Sequence, residues 1–168
     1  MPRKPGSMYR YVKEHACTRK EYTGGIPASR ITQFVIGNKT AKFPLQLTLT
    51  VNEKCQIRDS SLESARITVN RALEKRIGVA NYRLHILVYP HIILRENKQA
   101  TGAGADRVSM GMRKAYGKNV GFAARVEEGQ TIMTVETTEQ FLEPAKDALR
   151  RARMKITAPC KVNINTGA

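Results

Sequence analysis

This chain of 168 residues has no tryptophan, four phenylalanines and three cysteines, and its 29 Lys+Arg face only 14 Asp+Glu. Each shortage excludes something. Cys17, Cys55 and Cys160 are odd in number and far apart, with no Cys-x-x-Cys pair, so neither a disulfide framework nor a zinc knuckle is expected. His15 beside Cys17 cannot hold a metal alone, and the thiols read as reduced cytoplasmic cysteines. No apolar run approaches the about 20 residues of a bilayer span. The most apolar stretch, residues 84–94, is broken by His85, Pro90 and His91. The basic start is followed by no apolar segment, so a secretory signal is not expected. His15, His85 and His91 are scattered and lie near no nucleophile or carboxylate pair. No catalytic residue, metal or cofactor is expected, and the chain does not read as an enzyme.

What is present is positive charge. The formal net charge is +15. Such an excess weakens a compact chain by self-repulsion and makes sense when a polyanion neutralises it, which favours nucleic acid over a small-molecule substrate or a membrane. The cations are concentrated. Residues 1–30 carry Arg3, Lys4, Arg10, Lys13, Arg19, Lys20 and Arg30 against Glu14 and Glu21, interleaved with Tyr9, Tyr11 and Tyr22. Pro and Gly punctuate this segment, so it reads as an irregular arm whose cations follow phosphates while its rings stack on bases or sugars. Arg95, Lys98, Arg107, Arg113, Lys114, Lys118 and Arg125 form a second concentration. Residues 126–143 hold five acids and no Lys or Arg, a face turned from phosphate or toward a basic neighbour.

Residues 31–168 read as one α+β core. A β-branched run at 31–36 predicts a strand ended by Gly37-Asn38. Strict alternation of Leu45, Leu47, Leu49 and Val51 with polar residues predicts a half-buried strand. A helix opens at Asp59-Ser60-Ser61, with Ser60 and Glu63 spaced as a capping box. Its apolar stripe is Leu62, Ala65, Val69, Leu73 and Ile77, and Gly78 ends it. Arg66, Arg71 and Lys75 mark its outer face. Strands are expected at 82–89 and 92–95, a hairpin at 120–126 and 131–136 around Glu128-Gly129, and an edge strand at 161–164. A second helix runs from about Gln140 to Met154 with Pro144 in its first turn, exposing Lys146, Arg150 and Arg153. The expected core is two-layered, with one mixed, mostly antiparallel sheet.

The most unusual segment is 101–118, with Gly102, Gly104, Gly111 and Gly117. A loop of about 20 residues inside a small domain is functional or disordered. Gly102 and Gly104 begin a G-x-G-x-x-G pattern, but position 107 is Arg and no G-K-[ST] follows, so a nucleotide-binding enzyme is disfavoured. The segment reads better as a cationic loop that enters a crowded RNA pocket. Glycines allow close backbone approach, Arg107 and Arg113 pair phosphates bidentately, and Met110 and Met112 offer adaptable apolar contact. A free-standing RNA- or DNA-binding regulator is the alternative with the same basic surface.

Several of these residues carry a resemblance. Pro2-Arg3-Lys4-Pro5-Gly6-Ser7-Met8-Tyr9-Arg10, Gly24-Gly25-Ile26-Pro27, Tyr89-Pro90-His91 and Arg95-Glu96-Asn97-Lys98 belong to it. So do Ala103-Gly104-Ala105-Asp106-Arg107, Gly111-Met112-Arg113, Tyr116-Gly117-Lys118 and Ala148-Leu149-Arg150-Arg151-Ala152. Together they resemble the large-subunit ribosomal protein family L ten e, the archaeal and eukaryotic counterpart of bacterial L sixteen, over about residues 2–164. The lack of a long basic C-terminal extension is similar to the archaeal form. The resemblance implies an α/β-hammerhead-like core and a cytoplasmic structural protein of the large subunit that binds rRNA and neighbouring ribosomal proteins. It also implies a place on the tRNA corridor near the aminoacyl site, meeting tRNA transiently, with the long loop directed toward the peptidyl-transferase region. Under it the rRNA contacts are Arg3, Lys4, Arg10, Lys13, Arg19, Lys20, Arg66, Arg71, Arg150 and Arg153. The loop contributes Gly102, Gly104, Asp106, Arg107, Met110, Met112, Arg113, Lys114 and Lys118.

Overall fold

Period-two patterning builds two sheets where one was expected. A computed structural model describes residues 4–12 and 15–166, excepting the side chains of Asp106, Val108 and Thr166. The larger sheet holds β1 (Val35–Gly37), β2 (Leu45–Val51), β4 (Tyr82–Ile86), β7 (Thr131–Thr137) and β8 (Cys160–Thr166), in the order β1-β4-β7-β2-β8. The smaller holds β3 (Cys55–Arg58), β5 (Ile92–Glu96) and β6 (Lys118–Val126), in the order β3-β6-β5. Every pairing among the described residues is antiparallel. Two longer helices, α1 (Asp59–Arg76) and α3 (Leu142–Arg153), complete an α+β architecture, with a one-turn α2 (Ala105–Val108) inside the long loop.

The two sheets are joined by a bent ribbon. β2 runs on into β3 while β6 runs on into β7; β2 pairs with β7, and β3 pairs with β6. The expected hairpin of 120–126 with 131–136 is therefore wrong. Its turn exists, closed by Gln130 N–H to the Glu127 carbonyl, but the flanking strands enter different sheets. Hydrogen bonds from Gly129 N–H to Val51 O and from Val51 N–H to Gln130 O draw that turn onto β2 instead. The β-branched run at 31–36 also overreached, since only residues 35–37 are in a strand. Ile31 is buried in the core as irregular chain, and Phe34, its side chain packed against the core, accepts from Ile86 N–H through its carbonyl.

Burial follows the alternation. Tyr82, Leu84, Ile86 and Val88 turn inward while Arg83, His85, Leu87 and Tyr89 face out. Leu47, Leu49, Met133 and Val135 of the larger sheet pack with Leu62, Val69 and Leu73 of α1 and with Ala145, Leu149 and Ala152 of α3. Each large side chain so buried contributes about 1.5–3 kcal/mol. Pro144 sits in the first turn of α3, where its missing N–H is no loss.

The capping box did not form. The chain at Arg58 is extended and caps nothing through its side chain. Instead the Asp59 carboxylate accepts from Ser60 N–H at 2.7 Å and from Arg30 N–H at 3.1 Å. Glu63 turns away to Arg66, which it holds through both carboxylate oxygens. A nearby guanidinium is a better partner for that carboxylate than a backbone amide already served by Asp59.

The described part of the arm is irregular apart from two single turns, Gly6–Tyr9 and Lys20–Tyr22. It covers both edges of the smaller sheet. Gln56 N–H on β3 donates to Arg10 O, and Ile93 N–H on β5 donates to Cys17 O, each about 2.8–2.9 Å.

Candidate nucleic-acid interface

The long loop is carried on the stem formed by β5 and β6, where Glu96 and Lys118 face each other in register. Lys118 therefore belongs to β6 rather than to the loop. Arg95 closes the stem: its Nε donates to Tyr116 O at 2.8 Å and its Nη2 to Gly117 O at 2.6 Å, while the guanidinium lies over the Tyr116 ring. Gly117 has φ +68°, and a Cβ there would come within 2.6 Å of the Glu96 carbonyl. Only glycine fits so tight a return against that backbone.

Beyond the stem the loop is tied to itself by few bonds. Ala100 N–H donates to Ser109 Oγ at 2.9 Å and Asn97 Nδ2 to Gly111 O at 3.4 Å. Gly102 and Gly104 both have positive φ and precede the one-turn α2, which contains Asp106 and Arg107. Arg107, Arg113, Lys114 and Lys118 are exposed, and among the described residues none of them is in an ion pair. Met110 is 61% and Met112 79% exposed. Guanidinium, ammonium and thioether groups thus stand in solvent on a backbone rich in left-handed turns.

The expected arm contacts divide into two kinds. Arg3 and Lys13 lie outside the described residues. Arg19 and Lys20 are exposed, Arg19 over the ring of Tyr22 and Lys20 over that of Phe122. Lys4 and Arg10 are engaged within the protein. Lys4 Nζ pairs with Glu96 at 3.0 Å, and Arg10 is ion-paired with Glu53, its Nε donating at 2.6 Å. The hydrogen bond from Lys4 holds the Glu96 carboxyl below its ordinary value, and the Tyr9 hydroxyl adds to the effect. Tyr9 is accordingly no free stacking ring. It donates to Glu96, and burial followed by the Glu96 charge pushes its hydroxyl up. Tyr11 and Tyr22 do stand out in solvent.

On the helices, Arg66 is consumed by Glu63, whereas Arg71, Arg150 and Arg153 are exposed and unpaired among the described residues. Arg76 and Arg151 share Asp147, at 2.8 and 2.9 Å, and so tie α1 to α3. Arm and stem meet directly: Asn119 of β6 donates through Nδ2 to Thr23 O at 2.7 Å and Gly24 O at 2.8 Å. Arg71 stands apart from that junction, roughly 18 Å along the α1 axis from Asp59 at 1.5 Å per residue. The acid-only stretch is largely spent internally, with Glu127 on Lys54, Glu136 on Arg83 and Glu143 on Lys146. Sequence reasoning missed the positioning residues Arg58, Arg95, Tyr116 and Asn119. Arg95 and Tyr116 had one sequence signal, membership of the stretches 95–98 and 116–118, and Arg58 and Asn119 had none.

The family model for ribosomal protein L16p/L10e matches residues 10–163. The chain belongs to that family. It is similar to the large ribosomal subunit protein uL16 of Methanocella arvoryzae, 54% identical over all of this chain and 98% of the relative. The uL16 proteins of Methanosphaerula palustris and Halobacterium salinarum are 53% and 47% identical, over 98% and 99% of this chain and 95% and 97% of theirs. Family membership makes the chain a structural constituent of the cytoplasmic large ribosomal subunit, a partner of rRNA and ribosomal proteins, and not an enzyme.

Proposed function

We infer that the chain acts by position, holding rRNA segments together and helping to shape the path of tRNA through the large subunit. The observation that carries this reading is a set of exposed cations, Arg107, Arg113 and Lys114 on the loop and Lys118 at the head of β6, none of them ion-paired among the described residues, above a stem braced against the basic arm. Residues 1–30 serve as the arm that follows rRNA, and residues 31–168 as the core that carries the loop. Arg3, Lys13, Arg19 and Lys20 on the arm, and Arg71, Arg150 and Arg153 on the helices, neutralise phosphates of RNA segments that would repel at close approach. Lys4, Arg10 and Arg66 serve chiefly to hold the arm and α1 in shape, offering their remaining donors to phosphate. The loop lies by the tRNA corridor near the aminoacyl site and faces the peptidyl-transferase region, where it meets tRNA transiently. Its mobile thioethers and fork-shaped guanidiniums suit an irregular RNA surface. No helix among the described residues is long and apolar enough to cross a membrane, and no membrane partner is proposed.

Changing both Arg107 and Arg113 to Ala tests the loop. The double variant should fold and enter large subunits seen in a sucrose gradient, while aminoacyl-tRNA accommodation slows. Normal accommodation in subunits that contain the variant would remove the loop from this function.

A further inference from the structure

A cavity of about 540 Å³ between the arm, the start of α1 and the loop stem has no role so far. Pro27, Leu94, Val120 and the ring of Tyr9 give it apolar walls, and Lys98 and Thr101 stand where the loop leaves the stem. Its size is that of a ligand site, which commonly spans about 300–1,000 Å³.

Three observations single it out. Two side-chain atoms are buried without a hydrogen-bond partner among the described residues, Arg58 Nε and Asn119 Oδ1, and both residues line this cavity. One is a donor and the other an acceptor. A buried polar atom left unmade costs about 1–3 kcal/mol, so each calls for a partner that the described residues do not supply. The rest of both side chains is already committed: Arg58 Nη1 donates to Lys4 O at 2.8 Å, and Asn119 Nδ2 serves the arm carbonyls. Neither is free to swing away.

The third observation is Gly121. It lies inside β6, where glycine weakens a strand, and its φ is not one that requires glycine. Nor does a neighbour demand it, because a Cβ there would meet only Asp59 Oδ1, at 3.9 Å. Gly121 lines the same cavity. The missing side chain keeps the space open.

We propose that this cavity receives a single rRNA nucleotide turned out of its stack, with the edge of its base on Arg58 Nε and Asn119 Oδ1. This rests on the rRNA reading above and names a subsite within it. A nucleobase presents donors and acceptors on one edge and apolar faces above and below, which matches a pocket holding one unpaired donor, one unpaired acceptor and apolar walls. The carboxylates do not favour a bare anion at the centre, since Asp59 and Glu96 offset two of the three cations Lys4, Arg58 and Lys98. Lys98 is exposed at the rim and unpaired among the described residues, and it takes the phosphate of that nucleotide.

The variant Gly121→Leu fills the space and is read by chemical probing of rRNA bound to the full chain. With the natural chain, one nucleotide should be shielded along its base edge. With Gly121→Leu that nucleotide should become reactive at least about tenfold faster, while binding to the rRNA persists. Binding with unchanged reactivity at every nucleotide overturns the cavity proposal and leaves the rRNA reading standing. A natural chain that does not bind rRNA overturns both. Should Gly121→Leu fail to fold, the natural chain is titrated with the four ribonucleoside 5′-monophosphates and followed by NMR. Saturable shifts at the Asn119 side-chain amide and the Gly121 amide support the proposal, and their absence up to the solubility limit overturns it.

Discussion

Tyr9 donates its hydroxyl hydrogen bond to Glu96 Oε2 at 3.1 Å, across 87 positions of sequence. Lys4 meets the other oxygen of the same carboxylate at 3.0 Å. One acid at the end of β5 therefore holds the arm twice, beside the point where the loop departs. The arrangement makes the placement of residues 4–9 depend in part on the charge of Glu96.

That dependence has a sign. The ordinary value for this carboxyl is 4.5, and Lys4 with Tyr9 holds it lower in the folded chain. The stabilisation is therefore complete above 4.5 and is lost as the pH falls through the lowered value. Amide exchange near residues 4–10 should accelerate as the solution is acidified through that window. In Glu96→Gln the same amides should already exchange faster at neutral pH, and the acid step should disappear.

The thiols give a second expectation. Burial pushes Cys55 and Cys160 up to about 11 each, with the neighbouring Cys160 adding to the effect on Cys55. Only Cys17 is partly exposed. Alkylation near pH 8 followed by mass spectrometry should label Cys17 alone in the folded chain and all three cysteines in denaturant. Rapid native labelling at Cys55 would contradict the packing described.

At the loop stem, Gly117→Ala places a Cβ against the Glu96 carbonyl in a left-handed turn. The strain of that turn costs about 1 kcal/mol, and the backbone clash adds to it. Thermal unfolding should show a modest loss of stability. The larger effect should be a displaced Arg95–Tyr116 contact, visible as a changed tyrosine environment.

At the start of α1, Asp59→Ala removes the acceptor for Ser60 N–H and releases Arg30 N–H. The loss should be about 1–2 kcal/mol in denaturant unfolding, in the range of a helix cap. Ser60→Ala should cost much less, because its hydroxyl caps nothing.

Binding to rRNA should be steeply salt-dependent. With six to ten phosphate contacts, affinity should fall roughly 10³–10⁵-fold between 50 and 200 mM salt. A flat response in a filter-binding titration would be inconsistent with phosphate neutralisation.

Local rules read well wherever one element decides its own form. The Leu45–Val51 alternation, the Leu62-to-Ile77 stripe and Pro144 at the start of α3 each carry their conformation in their own spacing. The misreadings arose where a distant partner decides. Residues 120–126 and 131–136 look like a hairpin, yet β3 and β2 claim one strand each. Glu63 stands at capping distance from Ser60, but Arg66 takes it first. The interface divides in the same way. The loop cations are visible as composition, whereas the commitments of Lys4, Arg10 and Tyr9 depend on Glu96 and Glu53. Arg58 and Asn119 gave no signal because their importance lies in bonds they do not make within the chain.

The crossing of the arm over Gln56 and Ile93 bears on how this chain survives before it reaches RNA. Both outer strands of the smaller sheet would otherwise present bare backbone to any passing extended peptide. A shortened protein beginning near Gly24 would keep its core yet expose two sticky margins. Clumping of such a truncated form, with the complete chain staying dispersed at equal concentration, would show the arm to be its own chaperone during delivery.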